Sequence, residues 1–505
     1  MTQSIAPQLK QVASTFSTAT VIHHNRDRAI VKAEPQKAWM KAIGQTGVEF
    51  APTPLEVISG RIPIGLRGCL YRNGPARLQR GSRRVGHWFD GDGAVLGVRF
   101  GDRGATGTYR FVRTETYEAD ERSGSFTRGS FGMTPPPGTL PFQSLRKLMK
   151  NPANVSVLAL DDRALALWDQ GHPYSLDPDT LETLGEDSLG NLGDGEAFAG
   201  HYKRDPVTGE IFNFGVNYGL QPGLNIYRCD RAGQVRQKAS LPLKWLPIVH
   251  DFILTTNYLV FIVPPICLDA MAVATYRKSF GDAFSWQPQM GAEVIVVDRH
   301  TLRVVSRELN DPLYLWHVGN GYEDADGNVV MDIIGYDDIR VNQYLKEVGL
   351  LNLKTPALGT LRKLRVDPKT ACILDADEVL SVCGEFPTVS PLEVGLESRY
   401  TYFLGFRPGA EVDRDLWSTI VCFDYQTETA TMAVLDPNCY AMEPIFAPDK
   451  YDPDRGWILT VVYDGNRHTS EVWVYDRDRL DEEPVCKLAL PEVIPMGYHG
   501  TWQAR

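Results

Sequence analysis

One short unit recurs along this chain and limits what it can become. The segments "DPVTGEIFNFG", "DRAGQVRQKASL", "DRHTLRVVSREL", "EDADGNVVMDIIGYD", "DPKTACILDADEVL", "DYQTETATMAVL" and "DPDRGWILTVVYD" share one grammar. An aspartate-containing turn opens each, and polar residues then alternate with β-branched or aromatic ones. Aspartate suits the opening because its carboxylate can accept a backbone N–H two residues ahead. The alternation sends every second side chain to the same face of a strand. Hairpins of this kind fill the chain from residue 60 onward. They point to an all-β architecture, a propeller or a large sandwich. No short signature repeat of the WD type occurs, so any blades are irregular. Helical periodicity is rare outside residues 33–45 and 140–151.

A propeller gives meaning to the end of the chain, "PMGYHGTWQAR". Chain termini fray unless something ties them down. A closed ring must join its first and last blades, and a C-terminal strand locked into the ring makes that joint. "GYHGTWQAR" is therefore expected to be an ordered inner strand.

Composition narrows the partners. A net charge of −11, with no long basic run, argues against nucleic acid. The eight cysteines are scattered and form no CxxC pair, which fits reduced thiols in the cytosol rather than a zinc finger or a thioredoxin site. No run of 18 apolar residues crosses a membrane, and the first twenty residues lack the apolar core of a secretory signal. Those twenty also lack acidic residues, so organelle targeting stays open beside a cytoplasmic location. The segment "TLPFQSLRKLMKN" (139–151) sets Leu140, Phe142, Leu145, Leu148 and Met149 at roughly helical spacing among Arg146, Lys147 and Lys150. Such a segment either packs on the propeller or lies in a membrane interface as a peripheral contact. Residues 1–50 read as an N-terminal extension, helical or partly disordered, and residues 51–505 as one propeller domain.

Four of the ten histidines share a setting: His201 in "FAGHYKRDP", His250 in "PIVHDFILT", His317 in "LYLWHVGNGYED" and His499 in "MGYHGTW". Each follows apolar or small residues and begins or ends a strand-like run. Their separations of 49, 67 and 182 residues are too irregular for a local metal motif. They suit ligands delivered to one axis by separate blades. Taken alone, each is more simply a hydrogen-bonded core histidine. Four converging imidazoles would suit zinc, copper, iron or nickel. Tetrahedral zinc would be closed and structural, whereas six-coordinate ferrous iron would keep two open positions. Acids must then hold the outer ring N–H groups. Glu385 in "CGEFP" and Glu443 in "AMEPIFAP" sit between apolar residues and are candidates.

The set of motifs resembles the carotenoid cleavage oxygenases, non-haem iron enzymes that split polyene double bonds with O₂. "GCLYRNGPA" (68–76), "HWFDGDGAVLGVRF" (87–100), "FVRTETY" (111–117), "DPVTGE", "CGEFP", "EPIFAP" and "GYHGTW" appear in the family's order, from about residue 50 to the end. The resemblance implies a seven-bladed β-propeller with a dome of loops and helices over one face. It implies one Fe(II) per chain held by His201, His250, His317 and His499, with O₂ as co-substrate. Glu385 and Glu443 match its supporting carboxylates. Asp169, in "LALWDQGHPY", stands where the family has glutamate; one methylene shorter, it is expected to make a longer or water-bridged contact. Val155 stands where a small polar residue is common and is expected to crowd an open metal position. Phe89, Trp168 and Trp316 match aromatic tunnel positions. "FDGDG" is read as a tight turn in which Asp90 and Asp92 bond local backbone.

The expected activity is oxidative cleavage of one conjugated double bond of a carotenoid or apocarotenoid, giving aldehyde or ketone products, by a protein expected to be a monomer. Two alternatives stay open. One is stilbene cleavage on the same fold, which a buried tyrosine–lysine couple in the tunnel would favour. The other is a non-cleaving apocarotenoid-binding or isomerase relative.

Overall fold

In each of the seven recurrent units an aspartate carboxylate accepts the N–H two residues on. The pairs are Asp205 with Val207, Asp230 with Ala232, Asp298 with His300, Asp324 with Asp326, Asp367 with Lys369, Asp424 with Gln426 and Asp452 with Asp454. The side chain thus does locally what a backbone carbonyl does in a turn. The computed structural model describes residues 37–141, 143, 148–219, 221–452 and 454–504.

The hairpins assemble into seven antiparallel blades. Blade 1 is built on Gly68–Arg77, Asp92–Gly101 and Gly104–Phe111, blade 2 on residues 157–186, blade 3 on 203–242 and blade 4 on 253–310. Blades 5 and 6 share the long strand Ile373–Thr388. Its first part is the outer strand beside Thr360–Val366, and its last part, from Gly384, is the inner strand beside Tyr400–Gly405. Blade 7 spans residues 439–489. The ring closes twice. The strand Gly500–Ala504 pairs with Gly68–Arg72 as the inner strand of blade 1, and Val57–Gly60 pairs with Cys486–Ala489 as the outer strand of blade 7. The C-terminus is therefore an ordered inner strand, as its sequence suggested. Inner strands of neighbouring blades touch one another around the axis.

Sequence periodicity missed several helices. Glu115–Ser123 is capped by Thr114 at one end and by left-handed Gly124 at the other. Arg340–Gly349 buries Val341, Tyr344, Leu345 and Val348, a regular one-sided stripe. It packs on the 3₁₀ turn Trp88–Asp90 and forms part of the dome. Trp39–Gly44, by contrast, lies inside the 33–45 stretch where the sequence does show helical periodicity, and it packs Trp39, Ala42 and Ile43 into the main core. In the 139–151 segment, residues 142 and 144–147 (Phe142, Leu145, Arg146 and Lys147 among them) lie outside the described residues. Leu148 and Met149 are buried, and Lys150 turns inward to Asp92 at 2.6 Å. Asp92 thus departs from the turn role expected of it: Arg80 and Lys150 claim its carboxylate, and only Asp90 bonds nearby backbone. A lysine and an arginine this deeply buried need that partner. All eight cysteines are free thiols. Among the described residues no helix is long and apolar enough to cross a membrane.

Candidate metal centre

The four histidines reach the axis from four blades. His201 precedes the inner strand Lys203–Arg204, His250 precedes Ile253–Leu254, His317 lies within Tyr314–Glu323, and His499 precedes the closing strand Gly500–Ala504. One ring nitrogen of each lies within 4.8 Å of the others.

Three of the rings are oriented by carboxylates. His250 Nδ1 meets Asp169 Oδ2 at 2.9 Å, His317 Nδ1 meets Glu385 Oε2 at 2.6 Å, and His499 Nδ1 meets Glu443 Oε1 at 2.8 Å. A carboxylate accepts only, so each Nδ1 carries the proton and each Nε2 keeps a lone pair. Those lone pairs face inward: His201 Nε2 and His250 Nε2 stand 3.1 Å apart, and buried His317 Nε2 has no hydrogen-bond partner. The carboxylates are themselves held. Gly200 N–H donates to Asp169, Tyr336 O–H and Phe386 N–H to Glu385, and Gly500 N–H to Glu443. Asp169 therefore makes a direct contact where a longer or bridged one was expected. Gly200 explains this, because a side chain there would collide with both Val155 and Asp169. Without it the strand can sit close enough for the shorter acid to reach.

The electrostatics favour a cation. Burial, and then the neighbouring rings, push His201 and His499 well below the usual imidazole range, so both are neutral donors. Burial lowers His250 too, but Asp169 outweighs it and the net direction is up. Burial pushes Glu443 up to about 7, against the pull of Arg72, whose Nη1 is 3.7 Å from its Oε2. Asp169, Glu385 and Glu443 thus gather around the rings with the Arg72 guanidinium beside Glu443, an acid-rich surround that a cation would balance. Lone pairs, an orphaned Nε2 and this surround fit a divalent metal.

On one side of the cluster lies a largely apolar cavity. Phe89, Trp168, Trp316 and Val155 line it, with His250, His317 and His499 at its floor. Trp316 stands edge-on to His250 at 4.8 Å and to Phe89 at 5.3 Å, with its Nε1 donating to Asn342. Sequence reasoning did not single out Phe131, Tyr218, Phe280, Phe386 or Trp417, which also form this wall. Phe386 could have been flagged from "GEFP"; the loop aromatics carry no local signal. Its φ of +60° is left-handed, and it precedes Pro387, which disfavours helical backbone on either hand. That conformation lays its ring on His317 at 5.3 Å while its N–H holds Glu385. No lysine is among the described residues lining this chamber, so the tyrosine–lysine couple that would mark stilbene cleavage is not found there.

A propeller carrying a four-histidine, three-carboxylate centre beneath an aromatic chamber defines a class of metalloprotein. The family profile described as retinal pigment epithelial membrane protein (RPE65) matches residues 44–504. The apocarotenoid-15,15'-oxygenase of Synechocystis sp. is 30% identical over 460 residues, covering 89% of this chain and 92% of that one. Resveratrol cleavage oxygenase 1 of Aspergillus fumigatus is 27% identical over 479 residues, covering 90% of this chain and 93% of that one. A solved mutant of the Synechocystis apocarotenoid oxygenase superposes with a TM-score of 0.84 at 28% identity, covering 93% of this chain and 98% of that chain. The chain belongs to the RPE65 family, that of the carotenoid cleavage oxygenases.

Proposed function

We propose that this protein is a non-haem Fe(II) dioxygenase that cleaves one conjugated double bond of a carotenoid or apocarotenoid to two carbonyl products. The observation that carries this reading is the four-imidazole cluster at the floor of a chamber walled by aromatic rings. His201, His250, His317 and His499 would hold the ion, and Asp169, Glu385 and Glu443 would fix the rings. A ferrous ion in that donor set supplies the activation of dioxygen. The chain's own work is alignment. Phe89, Trp168 and Trp316 offer flat apolar faces to a polyene, excluding water and presenting one of many similar bonds to the centre. Val155, with its methyl groups against Gly200, narrows the space on that floor. No side chain is required as acid or base.

The apocarotenoid and carotenoid names among the relatives support the polyene, as does a chamber lining free of charged amines among the described residues. Residues 51–505 would act as one catalytic unit, monomeric and cytoplasmic, touching membranes through the 139–151 segment. Exposed Leu140 and Met271 support that contact; Tyr276 bridges toward them by donating to the Leu140 carbonyl. Met149 and Phe280, which line the aromatic chamber, also border the neighbouring cleft beside Tyr276. The test is oxygen uptake on anaerobically purified protein of known metal content, with an apocarotenal in detergent micelles. About one iron per chain, with stoichiometric O₂ consumption and aldehyde products, is the expected result. Tightly bound zinc, or iron without O₂ uptake on polyenes, overturns it.

A further inference from the structure

The histidine cluster has a second side. Opposite the aromatic chamber, the inner strands line a polar chamber, which reaches the surface beside exposed Pro391. The two chambers share His317 and His499. His250 faces only the aromatic one, and His201 only the polar one. His201 differs from its three partners in another respect. Its nearest carboxylate oxygen, Asp251 Oδ2, is 3.7 Å from Nδ1, beyond hydrogen-bond reach. Asp251 is fixed elsewhere. It accepts from the N–H groups of Phe252 at 2.8 Å and Val318 at 3.1 Å, and its Oδ1 is 3.0 Å from Lys203 Nζ. One of the four imidazoles is thus left unlocked, and it is the one that meets a polar cavity containing a paired carboxylate.

We propose that the polar chamber is the route by which the metal ion enters and leaves the histidine cluster, with His201 as the ligand that yields and the Asp251–Lys203 pair as a charge gate. The inference rests on the reading of the cluster as a metal site. A hydrated divalent ion cannot shed its shell against phenylalanine and tryptophan faces without large cost. In the polar chamber, carboxylate and hydroxyl oxygens can replace water stepwise, and such hard oxygen donors suit a passing cation. Of the four rings, His201 can turn away with no carboxylate contact to break. Lys203 neutralises Asp251 and repels an approaching cation, so the pair sets the rate of passage. This division lets a bound polyene fill the aromatic chamber without trapping or expelling the ion.

The test follows iron loss from the purified holoprotein to excess EDTA, then reloading with Fe(II). Val389→Trp adds bulk at a residue that lines the polar chamber and is not one of the four ligands. It should slow loss and reloading by the same factor, about tenfold or more, leaving iron affinity and polyene KM unchanged. Pro391→Trp at the rim is the second variant, should Val389→Trp fold poorly. Lys203→Met should speed reloading by about tenfold, more at low ionic strength than at high. Saturation with a long apocarotenal should leave wild-type loss unaltered. Unchanged rates in both tryptophan variants, or loss arrested by the apocarotenal, would overturn the route. Wild-type protein without stoichiometric metal would instead overturn the function on which the route rests.

Discussion

The aromatic chamber is walled largely by side chains from outside the sheets. Phe89 comes from a 3₁₀ turn, Phe131 and Phe280 from loops, and Val341 and Leu345 from the dome helix Arg340–Gly349. The polar chamber is walled by the inner strands themselves: Lys203 and Arg204, Val318, Thr388, Phe446 and Thr501 each lie on one. Loops tolerate change more readily than the hydrogen-bonded strands of the ring. The comparison teaches that the two halves of the site answer to different constraints. The ring of blades fixes the imidazoles and what reaches them through the axis. The dome fixes what lies over them. Changes in the dome should therefore move substrate parameters and spare the metal, and changes at the ring should do the reverse.

His499→Ala breaks the boundary between the chambers and should have the largest effect. It removes one donor and leaves Glu443 without its imidazole, so iron content should fall below about a tenth of wild type and O₂ uptake to background. The closing strand remains, so far-ultraviolet circular dichroism should not change. Truncation after Pro495 removes that strand as well and should lose both metal and cooperative unfolding. Full iron occupancy in His499→Ala would remove this residue from the centre, and a well-folded truncated protein would count against closure by the C-terminus.

Asp169→Asn comes next. The amide can present its nitrogen to His250 Nδ1, or its oxygen, but not the charge, so the ring loses its fixed tautomer. Iron affinity should drop about 10–100-fold, measured by competition with a chelator. An unchanged affinity would show that the direct 2.9 Å contact does not serve the metal. Phe89→Ala acts on the other side. It should raise the polyene KM about tenfold through lost apolar contact, with iron content intact. Loss of iron in that variant would erase the division between dome and ring.

Much of the ring was legible in the sequence because its signals are local. An aspartate bonding the N–H two residues ahead announces a turn, and alternation announces the strand that follows. The four histidines were legible because each abuts such a strand, and Glu385 and Glu443 because acids between apolar residues demand partners. The dome was not legible in the same way. Phe131 and Phe280 sit on loops without periodicity and become neighbours, 5.9 Å apart, only after distant segments pack. The helix Glu115–Ser123 is short and polar, with little apolar stripe to announce it. Asp92 was misread because a nearby turn seemed sufficient for it; its partners, Arg80 and Lys150, are 12 and 58 residues away. Asp251 follows His250 directly, yet nothing in "VHDF" shows that its carboxylate comes within 3.7 Å of His201 Nδ1.

The smallest predicted effect separates the two regions by pH. Asp90 holds the dome side together: its carboxylate accepts the N–H groups of Gly86 and His87, which carry the turn of Phe89, and of Gly132, beside Phe131. Burial pushes Asp90 from its ordinary 3.8 up to about 6, despite those donors. The folded protein therefore binds this proton more tightly than the unfolded chain. Below about pH 4 both states hold it and the contribution is fully present; it is lost as pH rises through 6. The difference corresponds to about 3 kcal/mol. Asp90→Asn cannot ionise, so wild-type stability measured against this variant by urea unfolding should fall by about that amount between pH 4 and 7. The iron content of both proteins should stay equal at pH 7, since Asp90 touches no ligand. A stability difference that is flat or rises over this range would mean that the three N–H groups hold Asp90 ionised. The dome would then owe its geometry to a buried charge rather than to a buried proton.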